Sequence, residues 1–408
     1  MNITKTVDKG ECTGCCACIN ICPQMCITMA AGQYGFLVPQ IDISKCIDCG
    51  KCIRCCPIVK EREIRNEGAV GFLGIGKDKE LLLNSASGGI FSSLANQFLQ
   101  DGGVVYGCEM DKEMGEWVAR HVRIDSCDEL KKLQGSKYVQ SYIGKTYSNV
   151  RADLKEGLQV LFSGTPCQCD GLISYLGRAY ENLYLIDIVC HGVPSMSMFN
   201  DFMHTYEKSK HVKLRDFKFR DKDIGWGTTA KYVHENGDVH LYPTELCSYY
   251  HYFLCGAIYR ECCYQCQYAN LNRVGSITIG DYWGVEKNHP EFNCSLYVDG
   301  CSLVIVNDAK GHVLLEKYGK NIMLIPESVD YLRKYNGNLN HPSIKQDVRD
   351  IILKKYQENG WIAVEEFFQN SLSFKTKGKL LVNFGVKRMI PKRLKIGIKN
   401  VVRIFKNT

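Results

Sequence analysis

The chain has 408 residues, 45% apolar and 23% charged, a globular composition that excludes disordered, collagen-like and fibrous classes. Its formal charge of +7 is uneven. Residues 371–408 carry 11 Lys or Arg and no acid, leaving 40 basic against 44 acidic residues in the body, so a nucleic-acid footprint spread over the body is not indicated. The opening residues, Met1 to Glu11, lack an apolar leader, and no run approaches the ~18 apolar residues of a spanning helix. Twenty-three cysteines, 11 of them before residue 61, then point to metal ligation in a reducing cytoplasm rather than to a disulfide framework.

Residues 1–60 hold an internal repeat. Cys12-x2-Cys15-x2-Cys18-x3-Cys22-Pro23 recurs 34 residues later as Cys46-x2-Cys49-x2-Cys52-x3-Cys56-Pro57. Two-residue spacers turn the chain so that three thiolates surround one side of a cubane while backbone N–H groups face the sulfurs. The fourth cysteine lies too far round and reaches the other cluster, as in two-cluster ferredoxins. The expected ligand sets are Cys12, Cys15, Cys18 and Cys56 for one [4Fe–4S] cluster, and Cys46, Cys49, Cys52 and Cys22 for the second. Structural zinc also favours Cys-x2-Cys pairs, but it has no use for eight cysteines in this crossed register. Cys16, Cys26 and Cys55 fall outside the register and read as packing thiols. Between the repeats, Ile27–Met29 and Gly35–Val38 suggest a short hairpin.

Lys60–Glu67 is a charged linker, with residues 61–68 as the boundary. From residue 69 to 340, strand-like runs at Ala69–Ile75, Gly103–Gly107, Gln159–Phe162, Leu183–Val189, Ser276–Ile279 and Leu303–Val306 are separated by helical stretches near Gly89–Gln100, Tyr142–Lys155 and Ser195–Lys208. That alternation predicts an α/β core, a mixed sheet with flanking helices, behind the small bacterial-type ferredoxin unit. Ser87-Gly88-Gly89 precedes a helix, with Ser87 as its N-cap, and paired glycines let a phosphate approach free N–H groups; serine and glycine also simply start helices. Ser136, Lys137 and Tyr138 offer a cation and a ring to the same ligand, or form a surface turn.

Three further cysteine signals follow. Cys167 lies just after one strand in Gly164-Thr165-Pro166-Cys167-Gln168, Cys190 follows the strand Leu183–Val189, and Cys263-x2-Cys266 closes Arg260–Cys266. Strand ends converge on one side of an α/β sheet. These four could form a third site, against scattered core cysteines or a redox pair. Ser343 and Gln346 suit a capping box for a helix with Val348, Ile351, Ile352 and Tyr356 on one face, stopped by Asn359-Gly360, within a helical extension over 341–370. In the basic tail, 371–408, Leu394, Ile398, Val401, Val402 and Phe405 project opposite Lys392, Lys395, Lys399, Arg403 and Lys406. That pattern suits an anionic membrane surface, or docking on this protein or an acidic partner.

The ordered set SASGG, GSKY, LFSGTPCQ, LIDIVCHGVPS, DIGWG, RECCYQCQYA and GDYWG resembles the coenzyme F420 hydrogenase/dehydrogenase beta-subunit family, here with a fused N-terminal two-cluster ferredoxin domain. The resemblance implies FAD beside a [4Fe–4S] cluster held by Cys167, Cys190, Cys263 and Cys266, with Ser87, Gly88, Gly89, Ser136, Lys137 and Tyr138 as flavin contacts. Cys262 and Cys169 stand close enough to offer competing registers. His191, Trp226, Asp281 and Trp283 lie in matching motifs, either lining the flavin's substrate face or packing as core residues. The implied function is a cytoplasmic FAD-dependent iron–sulfur oxidoreductase exchanging electrons between a ferredoxin-like or larger redox partner and an organic substrate or deazaflavin carrier. The alternatives are an electron-transfer subunit without its own substrate, and a binding protein that has lost FAD.

Overall fold

Short apolar runs rich in Val, Ile, Leu and Phe are buried on both faces when they lie side by side as parallel strands. A computed structural model describes residues 2–8, 10–60, 68–292 and 294–390, and it assembles those runs into one eight-stranded sheet. β1 (Ile27–Ala31) and β2 (Leu37–Ile41) form the N-terminal hairpin. The large sheet uses β3 (Val70–Gly76), β4 (Val104–Glu113), β5 (Glu116–Ile124), β6 (Val160–Gly164) and β7 (Leu183–Ile188). A separate three-stranded antiparallel sheet comprises β8 (Leu214–Lys218), β9 (Thr229–His234) and β10 (Val239–Pro243). The large sheet is completed by β11 (Ile277–Asp281), β12 (Ser302–Val306) and β13 (Ile322–Glu327), in the order β13-β3-β12-β11-β7-β6-β4-β5.

The central strands β4, β6, β7 and β11 run parallel, while β5, β12 and β13 pair antiparallel with their neighbours. The period of two along each strand divides the core. Val105, Leu161 and Ile186 face one way and pack with Leu94 and Phe98 of α1 (Ile90–Gln100). Val104, Tyr106, Val160, Phe162 and Leu185 face the other way and pack with α2 (Thr146–Lys155) and α3 (Pro166–Leu176). The second of these clusters also contains Cys15, Ile19, Cys26 and Cys52, so the cysteine-rich unit caps one face of the sheet. Arg260 fastens it there: Nη2 donates to Leu37 O at 2.7 Å, Nη1 to Gln140 Oε1 at 3.0 Å, and Nε to Cys12 O. Asn20 adds a bond to Gly144 O at 2.8 Å.

Several expectations are corrected. Ser87 is not the N-cap of α1; Gly89 is, with φ +76°, and the Ser87 hydroxyl donates to Cys301 O at 2.7 Å. The capping box at Ser343 and Gln346 does not form either. The helix starts after Asp347, and Ser343 Oγ donates instead to His191 O. Val348, Ile352 and Tyr356 pack on the core as expected, but Ile351 is exposed and Leu353 is buried in its stead. Asn359-Gly360 does break the helix, with Gly360 at φ +67°, but the chain resumes helical geometry and α5 spans Val348–Ser371, after α4 (Met196–Lys210). β5, β13 and the β8–β10 sheet were not anticipated. α6 (Phe374–Met389) carries the start of the basic tail; the amphipathic stretch 391–408 and the linker residues 61–67 lie outside the described residues.

Candidate functional site

Three chemistry-bearing loops of the core leave the carboxyl ends of parallel strands, where open α/β sheets hold ligands. β6 leads into Cys167 at the second residue of α3, β7 is followed by Cys190, and β11 by Trp283. α3 starts with a full capping box: Thr165 caps the N3 backbone while Gln168 Oε1 accepts from Thr165 N at 3.1 Å, and Pro166 occupies the first turn. Cys263 and Cys266 arrive on a 3₁₀ turn, Glu261–Gln265. All four sulfur-bearing residues border a cavity of about 900 Å³.

Electrostatics tie the four together. Burial pushes the Cys167 thiol up to about 12, and Cys266 and Cys263 add to the rise. Cys190 is raised for the same reason, with Cys263, Cys167 and Cys266 as its charged neighbours. Cys169 turns away, its Sγ 3.9 Å from both Gly164 O and Ile186 O. Cys262 stays beside Cys263, hydrogen-bonded to it.

A buried ion pair holds these loops in register. Asp187 in β7 is fully buried and accepts from Arg273 Nη2 at 3.0 Å, Thr278 Oγ1 at 2.6 Å, and the Val274 and Gly275 N–H groups at 3.0 Å. Arg273 also donates to Ile188 O at 3.0 Å and Tyr268 O at 2.8 Å. One guanidinium therefore joins the end of β7, just before Cys190, to the segment just after Cys266.

In the N-terminal unit, Cys12, Cys15, Cys18 and Cys56 line one small pocket with Ile3 and Ile58. Cys22, Cys46, Cys49 and Cys52 line another, together with Cys26, whose Sγ lies 3.5 Å from that of Cys22. Cys16 and Cys55 are buried, as is Cys26. Gly14 N–H donates to Cys12 Sγ at 3.4 Å. Gly171, one turn along α3 from Cys167, packs directly on this unit: a Cβ there would lie 3.0 Å from Cys15 Cβ and 3.1 Å from its sulfur.

Ser87, Gly89, Ser136, Lys137 and Tyr138 line the large cavity. Gly88 does not; its Cα packs against the sheet, where an added Cβ would fall 2.4 Å from Gly74 O and 2.6 Å from Ser302 N. Lys137 Nζ donates to Gln134 O at 2.7 Å, and enclosure lowers its pKa. Trp226 and Trp283 stack at 4.9 Å and 6°, Trp226 Nε1 donates to Asp281 Oδ1 at 3.1 Å, and Trp283 faces the cavity. His191 is exposed and borders the cavity rather than packing inside.

Three cavity or loop residues escaped sequence reasoning. His121 on β5 bonds Ser163 O at 3.1 Å and Ser141 Oγ at 3.0 Å, and burial lowers its pKa to about 4, so it stays neutral. Arg220 pairs with Asp281, donates to Gly227 O at 2.9 Å and lies over the Trp283 ring, with Nη2 unpartnered among the described residues. Lys222 braces the glycine loop through Leu82 O and Ser87 O. The only signal for the last two was their place just ahead of DIGWG.

Residues 157–330 match the model of a family described as the carboxyl-terminal region of the coenzyme F420 hydrogenase/dehydrogenase beta subunit. The matched segment, less than half of the chain, is similar to that family. It spans β6 to β13 and so contains Cys167, Cys190, Cys263, Cys266, Trp226 and Trp283, while the SASGG and GSKY loops and the N-terminal cysteines lie outside it. The family description is that of an oxidoreductase subunit. Among solved structures, a chain of the xenon-derivatised F420-reducing [NiFe] hydrogenase complex from Methanosarcina barkeri is similar over 73% of this chain and 96% of its own, at 15% identity and a TM-score of 0.46. The comparison with curated proteins gives no match. Among the described residues, no helix is long and apolar enough to cross a membrane.

Proposed function

We propose that the chain is an iron–sulfur flavoprotein oxidoreductase. Cys167, Cys190, Cys263 and Cys266 would hold one [4Fe–4S] cluster, and the two N-terminal sets would hold one each in the crossed register. The observation that carries this reading is the convergence of the four core cysteines, from three separate loops, on the wall of a cavity large enough for an organic cofactor. Donor spacing supports clusters over single ions. Metal–sulfur bonds of about 2.3 Å to one tetrahedral ion draw its thiolates to within about 4 Å of each other. Among the described residues no three cysteine sulfurs lie within 4.8 Å of one another.

Bound FAD would supply two-electron exchange with an organic substrate or deazaflavin-type carrier, and the clusters single-electron exchange with a ferredoxin-like partner or larger enzyme. The chain's own residues do the rest. The first turn of α1 presents N–H groups at a positive helix end, and Gly89 leaves the approach open. Lys137 adds a cation whose charged form a neighbouring anion restores. Gly171 lets α3 lie against Cys15 one turn from Cys167, which brings the first N-terminal set and the core set to neighbouring positions on one helix face. Arg260 holds the N-terminal unit in place. The open cavity favours a chain that meets its own small-molecule substrate over a subunit that only relays electrons.

Anaerobic purification with iron, sulfide and flavin analysis and EPR tests the assignment. Gly88 is unsuited to a flavin test because any side chain there strikes the sheet. Lys137→Met is the cleaner variant: flavin binding is expected to weaken about 10- to 100-fold, the worth of one charge-assisted hydrogen bond, while iron content stays unchanged. Flavin retention equal to that of the unmodified protein would place the diphosphate elsewhere.

The tail adds a second contact surface. α6 exposes Phe374, Leu381, Val382, Val386 and Met389, flanked by Lys375, Lys379 and Arg388, and no acid follows residue 370. This stripe suits the headgroup region of an anionic bilayer, each Lys or Arg near the surface adding about 1 kcal/mol. The full chain should pellet with phosphatidylserine-containing vesicles at low salt and be released at high salt. A truncation after Gln369 that pellets equally would refute the contact.

A further inference from the structure

The geometry points to a divalent-metal site on the β9–β10 hairpin, built from His234, Asp238 and His240 and separate from the cysteine centres. The hairpin register makes it. His234 closes β9, a Glu235-Asn236-Gly237 turn follows, and His234 N–H donates to Asp238 O at 2.9 Å across the turn. Asp238 thus stands opposite His234, and His240, paired with Tyr232, lies two residues further along the same face. One donor atom from each of the three lies within 4.8 Å of the other two, and the imidazole rings are 4.6 Å apart. Among the described residues this is the one group of three or more His, Cys, Asp or Glu donors so closely set, and none of the three lines the large cavity.

The surroundings are those of a ligand set rather than of solvated surface residues. His234 is 5% exposed, and its Nε2 is 3.2 Å from the Tyr206 hydroxyl, whose ring stacks on Tyr232 at 4.3 Å. A hydrogen bond to one imidazole nitrogen fixes the ring and leaves the other, Nδ1, to a metal, the usual outer-sphere arrangement for a metal-bound histidine. Asn236 Nδ2 donates to Asp238 Oδ2 at 2.8 Å and steadies the carboxylate in the same way. Asp238 and His240 are exposed, so an ion can enter and the remaining coordination positions take water. Two imidazoles and one carboxylate suit a first-row divalent ion such as zinc or nickel, and are too few oxygens for calcium or magnesium.

The test is calorimetric titration of Ni²⁺ into untagged, cluster-loaded full-length protein under anaerobic conditions. The unmodified chain should bind about one equivalent. His240→Ala and Asp238→Asn, both at exposed positions, should each weaken that binding at least tenfold, and Tyr206→Phe by about 10- to 100-fold as loss of an outer-sphere partner. His312→Ala, an exposed histidine elsewhere, should change nothing. The same ion should raise the thermal midpoint of the unmodified chain but not that of His240→Ala. All 23 cysteines remain in every variant. Binding retained in both His240→Ala and Asp238→Asn therefore places the ion elsewhere, on thiols or other side chains, and overturns the site. The absence of binding in the unmodified chain overturns it equally.

Discussion

Replacing Arg273 with methionine is expected to cost about 3–5 kcal/mol of folding stability, the loss typical of breaking one partner of a buried ion pair. The side chains of Arg273 and Asp187 are 1% and 0% exposed, so solvent cannot reclaim the carboxylate left behind. The Val274 and Gly275 N–H groups and the Thr278 hydroxyl would still bond it, but its balancing charge would be gone. Arg273 also satisfies Ile188 O and Tyr268 O, and both carbonyls would lose that donor. An anaerobic urea titration measures the effect as a lower midpoint at unchanged slope. The surface pair Lys45 and Asp42, 68% and 42% exposed, provides the contrast, since Lys45→Met should leave the urea midpoint close to that of the unmodified protein. If the two variants lose stability equally, Arg273 is not the brace between β7 and the Cys263–Cys266 loop.

Cys263→Ser is expected to remove roughly four of some twelve irons per chain after anaerobic reconstitution, with a matching loss of sulfide. The two N-terminal sets should persist, because their ligands come from a different stretch of chain. Three parallel variants divide the alternatives. Cys16→Ser should keep all its iron, since Cys16, although it borders the same small pocket, falls outside the ligand spacing of the repeat. Cys169→Ser should also keep it, because that sulfur lies against the Gly164 and Ile186 carbonyls. Cys262→Ser should leave iron intact if Cys263 is the ligand, whereas a loss equal to that of Cys263→Ser would show that the register lies one residue earlier. Stoichiometric zinc with little sulfide in the unmodified protein would refute the cluster assignment altogether.

Local patterns carried much of this molecule. The strands β6, β7, β11 and β12 were legible because each is an apolar run bounded by glycine, proline or polar residues. The start of α1 was legible from its glycine pair, although the capping residue was placed two positions early. β5 went unseen even though Trp117, Ala119 and His121 alternate inward, because β4 and β5 meet through a tight Met114-Gly115 turn with no strong hairpin signal. The β8–β10 sheet was hidden for a related reason. Its strands are polar on their outer face, and their inner residues Phe217 and Tyr232 join a core with Phe199 and Trp361, the latter far away along the chain.

By itself, the sequence determined how many thiolates stand at ligand spacing, where the glycine-started helix begins, and that an α/β core follows a doubled cysteine motif. These are properties of turns and short runs, set within a few residues by spacer length and side-chain period. Only the tertiary structure decided which cysteines of the core share one wall, that Gly88 serves the sheet while Gly89 serves the cavity, and that Asp187 and Arg273 lock two loops together. Those outcomes depend on strand order and on burial of groups separated by up to hundreds of residues, where the balance between desolvation and pairing is struck only after the chain has closed on itself.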